Sequence, residues 1–110
     1  MNSLNSILLE GRLTADPELK LLENGSSVCN FSIASNRYYK AKDERKEEVS
    51  FFRVVVWNGL GNSCKEFLTK GRGVRVVGRL KQDRWIDPEG INHSEVKIVA
   101  EHVDFKPKTF

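Results

Sequence analysis

A small all-β domain with one short helix is the fold class that this sequence predicts, and three observations predict it. Apolar and polar residues alternate with period two in several separate runs, the mark of strands with two unlike faces. Turn signals cut those runs apart: Asp16-Pro17, Asn24-Gly25 and Asp87-Pro88-Glu89-Gly90. Only residues 61–69 place apolar side chains at helical spacing, with Cys64, Phe67 and Leu68 on one side.

The elements follow in order. Ser6–Leu13, rich in Ile and Leu, is the first strand and ends before Asp16-Pro17. Leu19–Glu23 leads into Asn24-Gly25, a hairpin signal because both residues tolerate positive φ. Val28–Tyr39 comes next, with Cys29, Phe31 and Ile33 on one face and Asn30, Ser32 and Ala34 on the other. Lys40–Glu48 is expected to be a charged, solvated loop, of which only the first lysines matter. Val49–Trp57 is a strand. Gly59–Gly61 breaks the pattern, and the short helix Gly61–Thr69 follows, stopped by Gly71. Val74–Leu80 is a strand that continues to Ile86. Pro88 takes the second position of the next turn, His93–Ala100 is the last strand, and Glu101–Phe110 is expected to be irregular.

Composition bounds the function. A chain of 110 residues is near the modal size of a single domain, and 39% hydrophobic with 30% charged residues can bury one core. No run of 18 apolar residues occurs, so no helical membrane span is expected. Met1–Leu13 has neither the basic start and apolar block of a secretory signal nor an Arg- and Ser-rich amphipathic leader, so a cytoplasmic setting is expected. Cys29 and Cys64 form no C-x-x-C and lie among apolar neighbours, as reduced core residues do. The net charge of +3, from 18 Lys+Arg against 15 Asp+Glu, permits a polyanionic partner without demanding one. The cations cluster: Lys40, Lys42, Arg45 and Lys46 after Tyr38-Tyr39, Lys70 and Arg72 around Gly71, and Arg75, Arg79, Lys81 and Arg84 leading up to Trp85.

Val49–Trp57 is the most informative segment. Phe52, Val54 and Val56 make an apolar face that is expected to be core. Phe51, Arg53, Val55 and Trp57 make the other, two aromatic rings with a guanidinium between them. Two readings fit that second face. One is a surface that stacks nucleic-acid bases and neutralises phosphates. The other is a strand buried on both sides, with Arg53 paired to a carboxylate because an unpaired buried charge is expensive. Catalysis has little support. His93 and His102 sit in no metal or triad spacing, no G-x-x-x-x-G-K-[ST] occurs, and no apolar pocket is suggested around Asp83 and Asp87. No enzyme activity, cofactor or metal is expected.

Five strands with a helix between the third and fourth is the order of the oligonucleotide-binding barrel, the OB-fold, here with projecting β-hairpins. Gly11, Gly73 and Gly78 suit a tightly coiled barrel. A sandwich of seven strands does not fit. The motifs resemble those of bacterial single-stranded DNA-binding proteins: Asn5–Leu19 (NSILLEGRLTADPEL), Asn24-Gly25 before Val28, Phe51–Trp57 (FFRVVVW), Phe67–Gly71 (FLTKG), and Val77–Leu80 (VGRL) before Arg84-Trp85. The resemblance runs from Asn5 to Glu101. It implies a homotetramer that wraps single-stranded DNA without sequence preference in replication, repair and recombination, acting in the cytoplasm on the nucleoid. It places stacking aromatics at Tyr39, Phe51, Trp57 and Trp85, and phosphate contacts at Lys42, Arg53, Lys70 and Arg84. It puts Phe52, where relatives often have His, at a subunit interface. Residues 1–105 are then the binding domain and residues 106–110 a short tail. That tail is basic, unlike the acidic tip that recruits replication and repair proteins in the family, so such recruitment is not implied. The competing binding reading is a dimeric OB-fold adaptor similar to a primosomal replication-restart protein, acting mainly through protein contacts. Trp85 directly after Arg84 favours DNA.

Overall fold

The structure, a computed structural model, describes residues 2–107. Six strands and one helix follow one another: β1 Ile7–Leu13, β2 Glu18–Leu21, β3 Ser27–Ala41, β4 Glu44–Trp57, α1 Asn58–Phe67, β5 Gly73–Ile86 and β6 Asn92–Phe105. The sheet order is β1-β5-β6-β4-β3-β2, and β1 also pairs with β3 through Arg12↔Ala34 and Leu13↔Ile33. That extra pairing closes five strands into a barrel and leaves β2 outside it, hydrogen-bonded only to β3. Closure removes the open edges that an unclosed sheet would offer. The one parallel pairing, β4 with β6 at Val54↔Ile98 and Val55↔Val99, is bridged by α1 and β5. The expected all-β OB-fold barrel with one helix is the observed architecture.

Strand alternation fills the interior. Cys29, Phe31 and Ile33 from β3, Val54 and Val56 from β4, Val74 and Val76 from β5, and Ile98, Ala100 and Val103 from β6 form one buried cluster. Leu13 from β1, and Cys64 and Leu68 from and after α1, complete it. Both cysteines are free and fully buried. Burial pushes the Cys64 thiol up to about 12 and raises that of Cys29.

Gly78 marks the tightest approach in the barrel wall, since a Cβ there would lie 2.2 Å from the Val99 carbonyl oxygen. The β5–β6 register shifts by one residue beside it, which leaves Glu101 unpaired as a bulge and bends the ribbon. Gly61 behaves differently from expectation. It is not a breaker but lies inside α1, where a Cβ would meet the Val56 carbonyl oxygen at 2.3 Å. Its missing side chain lets the helix settle on the end of the barrel. The helix therefore starts at Asn58 and ends at Phe67, three residues earlier at its start and two at its end than periodicity suggests.

Other expectations are corrected. Lys40–Glu48 is no loop: β3 and β4 stay paired from Val28↔Trp57 to Ala41↔Glu44, and only Lys42 and Asp43 turn. Their φ angles of 50° and 66° give the doubly positive turn that matches strand twist. The charged stretch is exposed because it projects from the barrel, not because it lacks structure. The last strand runs on to Phe105, and the Lys106 N–H donates to the Gly73 carbonyl at 3.0 Å, so the expected irregular tail is ordered that far. Residues 108–110 of the expected tail lie outside the described residues. Phe52 is 38% exposed rather than core, and Phe67, grouped with Cys64 and Leu68 by helical spacing, is 56% exposed where those two are buried. β4 pairs with β6 only at Val54 and Val55, so Phe52 lies beyond the closed part of the wall, with no layer over it. Phe67 sits on the outer side of α1 near Phe105, ring centroids 6.4 Å apart.

Two arms result, the β3–β4 hairpin tip and the β5–β6 hairpin tip around Asp87–Ile91. They stretch the chain to a radius of gyration of 16.2 Å, against about 13 Å for a compact chain of this length.

Candidate nucleic-acid interface

Register shows which side chains share a face, because directly paired residues in a sheet point the same way. On β4 the outward residues are Phe51, Arg53, Val55 and Trp57, as parity predicts. They stand opposite Ala34, Ser32, Asn30 and Val28 of β3. Phe51 is 68% and Trp57 44% exposed. Val55, between Arg53 and Trp57, is only 2% exposed, so the two rings flank a buried residue and not a continuous wet groove.

Arg53 is neither buried nor free. Its Nη1 donates to both carboxylate oxygens of Glu95, at 3.1 and 3.2 Å, while about half of its side chain stays exposed. The carboxylate partner was one of the two sequence expectations, but its setting is the surface. Arg53 also lines a groove with Asn30, Ser32, Asp16 and Glu18.

The Arg53–Glu95 pair links β4 to the second arm. Along β6, Glu95 shares its face with His93, and His93 pairs directly with Trp85 of β5. The Trp85 indole stacks on the His93 imidazole, centroids 5.5 Å apart and planes 16° from parallel, and Trp85 is 47% exposed. Phe51, Arg53, Trp57 and Trp85 therefore lie on one outer surface that runs from the barrel wall onto the arm.

The other expected residues lie elsewhere. Arg84 faces the opposite side of the arm from Trp85, with Ser94 across from it and its Nη2 donating to Gln82 Oε1 at 3.0 Å. Tyr39 has the opposite parity from Phe51, pairs with Lys46, and carries the Arg37 guanidinium over its ring at 4.7 Å. Lys42 occupies the tip of the first arm. Lys70 is at the end of the barrel, in the connection from α1 to β5, where its N–H donates to Asp16 Oδ1 at 2.8 Å. Lys42, Lys70 and Arg84 make no ion pair among the described residues.

Two residues share the aromatic surface without having been singled out. Tyr38, 64% exposed, has the parity of Phe51 that Tyr39 lacks. Arg79 pairs with Val99, itself in register with Val55, and has no ion-pair partner among the described residues. Counting parity along the expected strands, from Ala34 on to Tyr38 and from Trp85 back to Arg79, would have found both.

Carboxylates on the arm are engaged in holding cations and turns. Lys97 chiefly, with Lys81, holds Asp83 below the usual aspartate value of 3.8. His93, then the Ile91 and Glu89 N–H groups, do the same for Asp87. No group of three or more potential metal ligands occurs among the described residues, and no described helix is long and apolar enough to cross a membrane.

The whole of this closed small barrel, β1 to β6, falls within the match to a known family. The single-strand binding protein family matches residues 4–106. The chain belongs to that family. It is 44% identical over 103 residues to a single-stranded DNA-binding protein of Treponema pallidum, covering 94% of this chain and 58% of that protein. It is 36% identical over 110 residues to single-stranded DNA-binding protein 2 of Chlorobaculum tepidum, covering 98% of this chain and 74% of the relative. It is 40% identical over 101 residues to a single-stranded DNA-binding protein of Aquifex aeolicus, covering 91% and 68%. In three dimensions it resembles the Plasmodium falciparum single-strand binding protein solved in complex with single-stranded DNA, with a TM-score of 0.88, 28% identity, and 97% and 98% of the two chains covered. Membership places the chain among binding proteins and not enzymes.

Proposed function

We propose that this chain binds single-stranded DNA without sequence preference. The observation that carries the reading is the set of half-exposed rings Phe51, Trp57 and Trp85 on one outer surface. Rings so placed gain little by folding and are available to stack bases, each worth roughly 1–3 kcal/mol. Stacking tolerates any sequence because every base has a π-face, and duplex hides those faces. Lys42, Lys70, Arg79 and Arg84 supply cations that are not committed to a carboxylate, and Tyr38 and Tyr39 add rings on the two sides of the first arm. The named relatives and the DNA-bound structural neighbour support the same reading. Roles in replication, repair and recombination within the cytoplasm follow from it.

The assembly we propose is a homotetramer, supported by apolar side chains left exposed: Leu8 at 69%, Val96 at 56% and Phe52 at 38%. A native mass of four chains is expected, and a mass of two would favour the dimeric adaptor.

Titration of intrinsic fluorescence with poly(dT) tests the DNA reading. Trp57 and Trp85 are the only two tryptophans, and bound bases should quench both. Unchanged emission at saturation, with binding established by the anisotropy of a labelled oligonucleotide, would remove these rings from the site.

A further inference from the structure

The second arm contains a chain of contacts that base stacking alone does not require. Asp87 is fixed by its own turn: its Oδ1 accepts from the Glu89 and Ile91 N–H groups, both at 2.9 Å. Its Oδ2 lies 2.7 Å from His93 Nε2. The tethered imidazole then lies nearly parallel to the Trp85 indole, on the neighbouring strand and in direct register. Backbone thus holds carboxylate, carboxylate holds imidazole, and imidazole holds indole.

An indole on a two-stranded arm would otherwise turn freely about its side-chain torsions and would have to be ordered when a base arrives. Ordering such a side chain beforehand removes part of that cost from binding. We propose that Asp87 and His93 are positioning residues for nucleic-acid binding: His93 covers one face of Trp85 and presents the other to a base. The inference rests on the single-stranded DNA reading, and it assigns Trp85 one base-accepting face and not two.

Two measurements test it. In Trp57→Phe, where Trp85 is the sole indole, the free protein reports the stack without DNA. Adding His93→Ala should change the emission and lower the steady-state anisotropy of the indole, and His93→Phe should restore the anisotropy. With both tryptophans present, His93→Ala should weaken binding to a labelled oligo(dT) roughly twofold to tenfold, with an unchanged salt slope, and His93→Phe should recover most of the loss. Equal or tighter binding by His93→Ala would show that His93 competes with bases for that face, and would overturn the proposal. An indole equally immobile without His93 would overturn it as well. Trp85→Ala separates the two layers of argument. If it binds as well as the parent chain, Trp85 stacks no base and both readings fail at this residue. If it weakens binding while His93→Ala does not, only the positioning role fails.

Discussion

The barrel and its two arms are built from the same strands but answer to different physics. Within the barrel every second residue is enclosed: Ile33, Val54, Val56, Val74 and Val76 are all fully buried. A few residues further along the same strands the alternation persists but both faces meet water. There the side chains are rings, cations and carboxylates whose partners are one another, such as Arg37 with Glu48 and Lys97 with Asp83. Stability is concentrated in the first region, and the candidate binding groups lie mostly on or beside the second. Mutations should therefore separate into two classes with little overlap.

The largest effect should come from the barrel. Ile33→Ala removes a fully buried side chain at the closure point, where Leu13 pairs with it. It should destabilise the fold by about 2–5 kcal/mol in denaturant melts. Phe51→Ala, only one cross-strand pair away from Ile33 on the other side of the sheet, should stay within about 0.5 kcal/mol of the parent. Similar losses for the two would erase the distinction between wall and surface.

DNA affinity should show the reverse order. Trp85→Ala and Phe51→Ala should each cost about 1–3 kcal/mol of binding while leaving the melting midpoint nearly in place. A Trp85→Ala protein that unfolds or changes its native mass would mean that the arm is part of the structural body.

The same division decides what was legible in the sequence. Barrel residues repeat a period of two with apolar side chains, so Cys29, Phe31, Ile33, Val54 and Val56 are read correctly from pattern alone. The arms offer no such contrast. Lys40–Glu48 has the composition of a loop, and its pairing depends on a two-residue turn at Lys42-Asp43 that lacks the glycine by which such turns are recognised. Phe52 and Val55 exchange expected environments because burial depends on where β4 meets β6, a long-range pairing that parity along one strand does not contain. Tyr39 and Arg84 were placed by resemblance, and parity puts each of them on the side of its arm away from Phe51 and Trp85.

Acid should open the arm before the barrel. The folded-state values of Asp83 and Asp87 lie below 3.8 because Lys97 favours the ionised form of Asp83 and the His93 side chain that of Asp87. A depressed carboxylate stabilises the folded state above its unfolded value and loses that contribution as pH falls through the folded one. Below 3.8, amide exchange in residues 81–97 should accelerate ahead of exchange in the barrel positions of β3 and β4. Glu10 is held down in the same way, first by Lys106 and then by Arg75. Its release should loosen the junction at Lys106, while the apolar core has no titrating group in this range. Uniform acceleration across both regions would show that arm and barrel open together.

The smallest expected effect is the most discriminating, because it concerns a cation tied to both regions. Lys42 and Arg84 are not engaged with carboxylates, so if they meet phosphates, neutralising either should make the plot of log affinity against log salt shallower by roughly 0.7. Arg53 differs. To meet a phosphate it must leave Glu95, and the freed carboxylate then attracts a cation that offsets the one released from DNA. Arg53→Ala should therefore change the slope by less than the other two. Glu95→Gln should steepen it and tighten binding at low salt, since Arg53 would be released without a competing anion. Stability should hardly move in either variant, because an ion pair this exposed contributes about 0–1 kcal/mol. Coupling between the two changes is the decisive quantity: the gain from Glu95→Gln should vanish in a chain that already carries Arg53→Ala. If the gain survives there, Glu95 acts on DNA through its own charge. If neither single change alters the slope, Arg53 and Glu95 serve only to tie β4 to β6, and the rings of the face work without a cation between them.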